Sequence, residues 1–384
     1  MLLQDVSQTT ATKSLSGTAV QVRVYDRSSW STLSSTWERL ASDTSASFFL
    51  SVDWTTVWLE TFGAELSPRI LIFEANGRAV GACVLSKSNV GLKLLPIRRL
   101  SLNAAGESML DTTYIEFNDL LCAPGWNDPI CLAIASYLER EHWDELALPG
   151  FKDGAALKRL RVNFASLDYT EVRHPSYYVD LAAIRESGSS FESVLKSSNR
   201  KHLRQNIRYH SELGPLKLEW AEDLDGALAT LEQLADMSQA RSEAVGRRGI
   251  FQSAKFMKFH RTLISRCFGK GSVSLLRLKA GEHTVGLLYN LLQNGKVYFY
   301  QCGFRYSEDK RLSPGTVTIA FAIDHYVAQG LNEFDFLSGE TPYKRWMSTG
   351  SRDLVWGVFR KRNARAAMLQ AFRRIRQRFK SSGS

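Results

Sequence analysis

One strand–turn–strand pattern occurs twice in this chain, and it constrains the possible folds more than any other feature. The first copy is FEANGRAVGACVL at 73–85, and the second is LKAGEHTVGLLYN at 278–290. Val80 and Gly81 in the first copy match Val285 and Gly286 in the second, 205 positions later. A duplicated hairpin–helix–strand unit is the simplest account, although two unrelated α/β domains could share so faint a likeness.

Strand and helix patterns alternate along the rest of the chain. In the first half, strands are predicted at 19–26, 69–87, 92–102, 112–122 and 143–150, and helices at 28–42 and 127–141. In the second half, helices are predicted at 223–241, 252–268 and 316–329, and strands within 272–304 and at 332–337. Asn76-Gly77, Ala280-Gly281 and Asn294-Gly295 are predicted turns. The 384 residues suffice for two α/β domains with mixed sheets.

The positive charge is concentrated at one end of the chain. The formal net charge is +10, but residues 351–384 hold ten Lys or Arg and one acid. The remaining residues are almost neutral, so bulk charge does not indicate nucleic-acid binding.

The N-terminus and the cysteines indicate a protein of the cytoplasm. The first 18 residues are polar, lack the apolar core of a secretory signal and are predicted to be a disordered tail. The five cysteines are scattered among apolar neighbours without metal-ligand spacing, which favours buried free thiols.

Residues 189–214, between the two halves, have the pattern of a basic helix. Arg200, Arg204 and Arg208 recur at a spacing of four, and no acid occurs from 196 to 211. Like charges at that spacing cost about 0.2–0.5 kcal/mol per pair. The stripe is either a solvated face or a surface that faces phosphates.

The sequence RLSPGTVTIAF at 311–321 starts a helix directly after an aromatic strand. Ser313 as a cap and Pro314 in the first turn would suit any helix. Pro314 has no N–H, so the amides left to face outward are those of Gly315, Thr316 and Val317. Amides at a helix N-terminus bind anions. The segment is therefore either a plain helix start or a cradle for a diphosphate.

Polar side chains follow a buried strand in FDFLSGETPYKRW at 334–346. Asp335 lies between two phenylalanines, so its carboxylate needs hydrogen-bond partners or a function. Gly339 ends the strand, and Glu340, Tyr343 and Lys344 follow just beyond its end. Asp335 is either a structural acid that ties down a loop or a site residue. Glu340 and Tyr343 are candidates for substrate handling.

These segments resemble the GNAT-type acyltransferases of the CelD-like group, which is named for cellulose biosynthesis and is related in fold to the Fem-type peptidyl transferases. The resemblance covers about residues 45–350 and is carried by YQCGFRYSEDKRLSPGT, GLNEFDFLSGETPYKRW and NRKHLRQNIRYHSELG. It implies two tandem GNAT-like folds with acyl-CoA bound in the second. It also implies acyl transfer to an amine, commonly in exopolysaccharide or cell-envelope pathways. The usual GNAT loop Q/R-x-x-G-x-G/A is KRLSPGT here, with a single glycine.

The resemblance also implies where the cofactor lies. The diphosphate would lie on the amides that start the helix, assisted by Lys310 or Arg311. The thioester would lie along the strand that contains Tyr298, which GNAT folds splay from its neighbour. The implied cofactor-binding residues are Tyr300, Gln301, Arg311, Ser313, Gly315, Thr316 and Val317.

Direct attack of an amine on the thioester is the implied chemistry. Glu340 would be the base, directly or through water, and Tyr343 the acid or orienter. Asp335 would hold the loop that places them, and Lys344 and Arg204 would bind substrate. No metal is implied.

The C-terminal segment ARAAMLQAFRRIRQRFK predicts a basic amphipathic helix. Met368, Phe372, Ile375 and Phe379 recur at helical spacing among arginines. Such a helix over 363–380 suits an anionic membrane surface or a protein partner, or it docks on its own body. A membrane contact would place the enzyme at the inner face of the membrane.

We expect four segments and one leading function. The segments are a tail (1–18), an N-terminal GNAT-like domain (19–175), a C-terminal acyltransferase domain (176–350) and a final strand with the tail helix (351–384). The leading function is an N-acyltransferase that uses acetyl-CoA or another acyl-CoA on an amino sugar or another envelope precursor. The alternatives are a Fem-type transferase that uses aminoacyl-tRNA and a non-catalytic scaffold at the membrane.

Overall fold

The computed structural model describes residues 10–12, 19–92, 95–104, 113–309 and 312–362. The strands are β1 Thr10–Thr12, β2 Val20–Tyr25, β3 Arg69–Ala75, β4 Arg78–Leu92, β5 Leu95–Leu102, β6 Leu121–Cys122, β7 Glu145–Lys152, β8 Asp168–Asp180, β9 Leu216–Trp220, β10 Val273–Ala280, β11 His283–Gln293, β12 Lys296–Phe304, β13 Glu333–Ser338 and β14 Gly350–Arg360. The helices are α1 Trp30–Asp43, α2 Val52–Leu66, α3 Asn127–Glu139, α4 Ala155–Asn163, α5 Leu181–Glu186, α6 Phe191–Val194, α7 Ser197–Ser211, α8 Leu224–Ala244, α9 Ala254–Cys267, α10 Pro314–Ala328 and α11 Pro342–Met347.

The chain divides into two compact units, and each is completed by a segment from the other half of the sequence. The first unit takes its described residues from 1–108, 114–173 and 354–384. The second unit takes its described residues from 109–113 and 174–353. The predicted domain bounds follow sequence order, whereas this division follows contacts, so those bounds stay predictions.

The sheet of the first unit runs in the order β1-β2-β3-β4-β5-β7-β14, with residues 354–360 of β14 as its last strand. β5 and β7 are parallel, and the other neighbours are antiparallel. Ile134 and Leu138 of α3 and Leu157 of α4 bury their side chains in its core.

The sheet of the second unit runs in the order β9-β10-β11-β12-β13-β8, with residues 174–180 of β8 as its last strand. β12 and β13 are its parallel pair. Its core packs Phe299, Phe334 and Phe336 of the sheet against Ile323 and Tyr326 of α10.

The two units repeat one order of elements, which supports the duplication. Apart from the short β6, which lies between β5 and α3, the order β3-β4-β5-α3-β7 in the first unit corresponds to β10-β11-β12-α10-β13 in the second. The first hairpin of each unit has a β-bulge, between Phe73 and Glu74 in one and Leu278 and Lys279 in the other, again 205 positions apart.

Gly81 and Gly286, which match in the two copies, have the same structural role. A Cβ on Gly81 would lie 2.5 Å from Cδ1 of Ile130 on α3, and a Cβ on Gly286 would lie 2.4 Å from Oγ1 of Thr318 on α10. Each glycine therefore lets the corresponding helix approach its sheet closely.

Most elements predicted from the sequence are present. The turns at Asn76-Gly77 and Asn294-Gly295 have the positive φ angles that a two-residue hairpin turn requires (51° and 73°; 52° and 73°). The predicted strand at 112–122 is wrong, because within its described residues only Leu121–Cys122 forms one. Helices α2, α4, α5 and α11 and strands β8 and β9 were not predicted.

Two predicted segments lie wholly or partly outside the described residues. The helix over 363–380 lies outside them, and within the predicted N-terminal tail Thr10–Thr12 pairs with β2. Among the helices of the described ranges, none combines the length and the apolar character needed to cross a membrane.

Candidate functional site

The parallel strands of the second unit part before they end. β12 pairs with β13 only from Lys296–Glu333 to Tyr298–Asp335, although β12 continues to Phe304 and β13 to Ser338. Because the strands are parallel, α10, which follows β12, and the loop after β13 start at the same edge of the sheet. The splay that the resemblance implied is thus present beside the start of α10.

Asp335 organises the turn that ends the pairing. Its Oδ1 accepts the N–H of Leu337 at 2.7 Å and the hydroxyl of Ser176 at 2.6 Å. Leu337 has a φ of 61°, a left-handed conformation that is unusual for leucine. Asp335 is fully buried, and burial raises the pKa of its carboxyl to about 7 against the opposing effect of these hydrogen bonds. The carboxylate therefore has the geometry expected for a residue that holds this loop.

Lys344 binds the same turn from α11. Its buried ammonium donates to the carbonyl oxygens of Leu337 at 3.1 Å and of Ser338 at 2.8 Å. These backbone bonds give Lys344 a structural use beside its predicted role in substrate binding.

The start of α10 leaves two backbone amides without an acceptor in the described part of the chain. Ser313 makes no side-chain cap, and its own N–H donates to Oδ1 of Asn206 at 2.7 Å. Val317 is less suited to the predicted cradle, because its N–H donates to the carbonyl of Ser313 at 3.4 Å. The amides of Gly315 and Thr316 have no acceptor among the described residues, which do not include 310 and 311. The Ser313 hydroxyl bonds the Thr316 hydroxyl at 3.0 Å and caps neither amide, so their use as a cradle for a diphosphate stays a prediction.

Asn206 is the residue that sequence reasoning missed. It lies on α7, is 2% exposed, and donates from Nδ2 to the carbonyl of His202 at 3.0 Å. With one amide it ties α7 to the loop before α10. The signal available in the sequence was the spacing of four that joins His202, Asn206 and His210 on one face.

The arginine stripe of α7 is largely engaged within the second unit. Arg204 forms an ion pair with Glu192 at 2.5 Å, and Arg200 donates to the carbonyl of Leu195 at 3.1 Å. Arg204 is exposed, and its predicted part in substrate binding stays a prediction.

Partly exposed side chains line the elements around the parted strands. Cys302 and Phe304 on β12 and Tyr343 and Trp346 on α11 pack against the same hydrophobic cluster. A Cβ on Gly315 would lie 3.1 Å from the ring of Phe304, so glycine keeps the start of α10 close to β12.

The two predicted catalytic side chains lie in different environments. Glu340 is exposed and forms an ion pair with Arg345. Burial raises the pKa of the Tyr343 phenol well above its ordinary value, with smaller contributions from Cys302 and Tyr306. Glu340 is thus placed as an accessible carboxylate and Tyr343 as a protonated hydroxyl.

Tyr300 is directed into the protein. It lies at a bulge, where Tyr289 pairs with Gln301 and Asn290 pairs with Phe299. Its hydroxyl donates to the carbonyl of Thr113 at 2.5 Å. A ligand along this part of β12 would therefore meet the backbone rather than the Tyr300 side chain, and Gln301 is half-buried beside it.

The described ranges contain no cluster of metal ligands, and one of their histidines is fully buried and uncharged. No group of three potential metal ligands occurs among those residues. His260 is fully buried on α9, and burial lowers its pKa to about 3, so the ring is neutral. Arg311, the last predicted cofactor residue, lies outside the described residues.

Comparison with known proteins agrees with this geometry. Residues 197–345 match the family model described as an acetyltransferase (GNAT) domain. The crystal structure of FemX resembles this chain with a TM-score of 0.55 at 11% identity, over 84% of this chain and 95% of that chain. L-PGS from Bacillus licheniformis has a TM-score of 0.52 at 11% identity, over 90% and 96% of the two chains. No curated protein sequence matches this chain.

These likenesses show the fold alone: a mixed α/β chain with the fold of FemX and L-PGS, in which residues 197–345 match a GNAT domain. The matched family model is broader than the CelD-like group, so assignment to that group stays a prediction.

Proposed function

We propose that this chain is an acyl-CoA-dependent N-acyltransferase whose reaction takes place in the second unit. The observation that carries the proposal is the parting of β12 from β13 beside the two available amides of α10. The matched acetyltransferase domain covers both features. Acetyl-CoA or another acyl-CoA would be the donor.

The donor would be bound mainly by backbone groups. The amides of Gly315 and Thr316 would face the diphosphate, where the N-terminal end of the helix dipole favours negative charge. Beyond Tyr298, β12 is no longer paired with β13. Its peptide groups would pair with the amide groups of the pantetheine arm.

The reaction would be direct aminolysis of the thioester. The amine nitrogen attacks the carbonyl carbon, the carbon–sulfur bond breaks, and the thiolate leaves. Glu340 would take the proton that the ammonium must lose, directly or through water. Tyr343, whose phenol is protonated at neutral pH, would donate that proton to the thiolate, and the second proton lost by the amine nitrogen would restore the phenol.

An amine of an amino sugar or another cell-envelope precursor is the proposed acceptor. The predicted tail helix would hold the enzyme at an anionic membrane surface or a partner, on the cytoplasmic side. The fold shared with FemX keeps a second candidate, a Fem-type transfer from aminoacyl-tRNA. The near-neutral body of the chain argues against an RNA-bound donor.

Product analysis tests the proposal directly. Purified protein is incubated with acyl-CoAs and a panel of amino-sugar nucleotides, and mass spectrometry detects acylated products. The proposal expects one acyl group added to an amine and one free CoA formed per turnover. Transfer from aminoacyl-tRNA alone would favour the Fem-type reaction, and no transfer from either donor would favour the scaffold.

Glu340→Gln separates chemistry from binding. The variant should lose at least about a hundredfold in kcat, as expected for a general base, while it binds acetyl-CoA as the wild type does. The matched control is Glu232→Gln, an exposed position of α8. Retained turnover in Glu340→Gln would reject this residue as the base.

A further inference from the structure

The first unit contains the same parallel strand pair as the second. Residues 99–101 of β5 pair with 145–147 of β7, and the pairing ends at Ser101–Ala147. In the repeated order of elements, this is the place where β12 and β13 part in the second unit. Beyond this point the two units differ in structure.

In the first unit, the segment around Asn118 pairs with β7 beyond the point where β5 and β7 stop pairing. The N–H of Asn118 donates to the carbonyl of Gly150 at 2.9 Å, and its carbonyl accepts the N–H of Lys152 at 2.9 Å. Asn118 thereby forms a parallel bridge with Phe151 of β7. The edge of β7 that would face a ligand is already paired.

The side chain of Asn118 joins the two strands. Its Nδ2 donates to the carbonyl of Leu102 at the end of β5 (2.9 Å) and to that of Pro149 on β7 (3.0 Å). Its Oδ1 accepts a hydrogen bond from Nδ2 of Asn103 at 3.0 Å. Asn118 is fully buried, and both polar atoms of its side-chain amide are hydrogen-bonded. It therefore fills the space between β5 and β7 just beyond the point where their pairing ends.

The rest of the segment is largely buried, and Ile115 lies directly against β7. Ile115, Phe117 and Leu120 are all less than 8% exposed. Gly150 has a φ of 59°, and a Cβ there would lie 2.4 Å from the carbonyl oxygen of Ile115. This close approach leaves no gap for a pantetheine arm between residues 115–120 and the strand.

We propose that the first unit takes no acyl-thioester donor, because it fills the opening that corresponds to the donor site of the second unit with its own residues 115–120. The inference rests on the proposed function of the second unit. A donor could enter the first unit only by breaking the bonds of Asn118 and exposing three buried apolar side chains. The first unit is thus a sealed copy of the fold.

Binding stoichiometry tests the number of sites. Equilibrium dialysis with labelled acetyl-CoA should give one molecule bound per chain. Gly315→Asp, which puts a carboxylate at the start of α10, should leave none. Two molecules bound to the wild type, or one still bound to Gly315→Asp, would overturn the inference. No binding to the wild type would instead refute the proposed function.

Hydrogen exchange tests the seal without any ligand. The amides of Asn118 and Lys152 should exchange slowly in the wild type, and Asn118→Ala should speed both by at least tenfold while acetyl-CoA affinity stays within twofold. Asn89→Ala, at an exposed asparagine of β4, is the control and should change neither amide. Fast exchange of both amides in the wild type would show that the opening is not sealed and would overturn the inference whatever the stoichiometry.

Discussion

At Asp335, burial and hydrogen bonding act against each other. The folded protein raises the pKa of this carboxyl from 3.8 to about 7. Between pH 3.8 and about pH 7, the carboxyl of Asp335 is protonated in the folded state and ionised in the unfolded state. The contribution of Asp335 to stability is therefore fully present below about pH 4 and is lost as the pH rises to about 7.

Asp335→Asn should remove this pH dependence. The amide oxygen can still accept from Leu337 and Ser176, and no ionisation is left. Between pH 5 and pH 8, the melting temperature of the wild type should fall more than that of the variant. The difference should correspond to a few kcal/mol in the free energy of unfolding. Asp236→Asn, on an exposed position of α8, should behave as the wild type. Equal pH dependence in Asp335→Asn and the wild type would show that the carboxyl ionises normally.

Asn206 acts on the cofactor loop through Ser313. Asn206→Ala removes the acceptor of the Ser313 N–H, a loss of about 1–2 kcal/mol. The KM for acetyl-CoA should rise about 5- to 30-fold with little change in kcat. Turnover of acetyl-pantetheine, which has no diphosphate, should be unchanged. Gln205→Ala, the exposed neighbour on α7, is the control. An equal loss with both donors would show a general structural role instead.

Among the elements, hairpins and amphipathic helices could be read from the sequence, whereas segments buried on several sides could not. Asn-Gly turns and the spacing in α9 are local signals. Helix α2 buries every residue from Asp53 to Leu59, which covers all of its faces, so that stretch has no polar stripe. Residues 112–122 alternate like a strand, but Asn118 and its neighbours seal an opening whose walls come from β5 and β7.

Part of the site could also be predicted from the sequence, because its signals are local. The start of α10 and the residues after β13 stand in contiguous motifs, which made Gly315, Thr316 and Asp335 candidates. Asn206 lies more than a hundred residues before the loop that it holds. Its contact depends on how α7 packs against α10, which no local pattern encodes.

Gly286→Ala should show how closely α10 approaches β11. The new Cβ would lie 2.4 Å from Oγ1 of Thr318 and 2.8 Å from Cδ1 of Phe304, so α10 must shift. Urea unfolding should report a loss of about 1–3 kcal/mol. Gly269→Ala, with open space around its Cα, should cost far less. Equal stability of both variants would contradict the close packing.

At the scale of the whole molecule, sequence order and structural unit do not coincide. Phe359 comes after the second half in the sequence, yet it packs in the first unit. The centroid of its ring lies 5.1 Å from that of Phe164 and 4.6 Å from that of Tyr169. Local patterns could predict β14 as a strand but could not assign it to that sheet.

Phe359→Ala should therefore destabilise the first unit by about 3–5 kcal/mol. Hydrogen exchange should speed in β7 and leave β12 unchanged. Val172→Ala, at an exposed position, is the control. Faster exchange confined to β12 would contradict the division of the chain into these units.

The central claim is that the amides of Gly315 and Thr316 hold the diphosphate of an acyl-CoA. Calorimetric titration of acetyl-CoA into the wild type, Gly315→Asp and Gly269→Asp tests it most directly. The wild type and Gly269→Asp should bind with equal affinity. Gly315→Asp should remain folded and lose at least about a hundredfold, the cost of about 3 kcal/mol. Equal affinity in all three proteins, or no binding to the wild type at millimolar acetyl-CoA, would contradict the account.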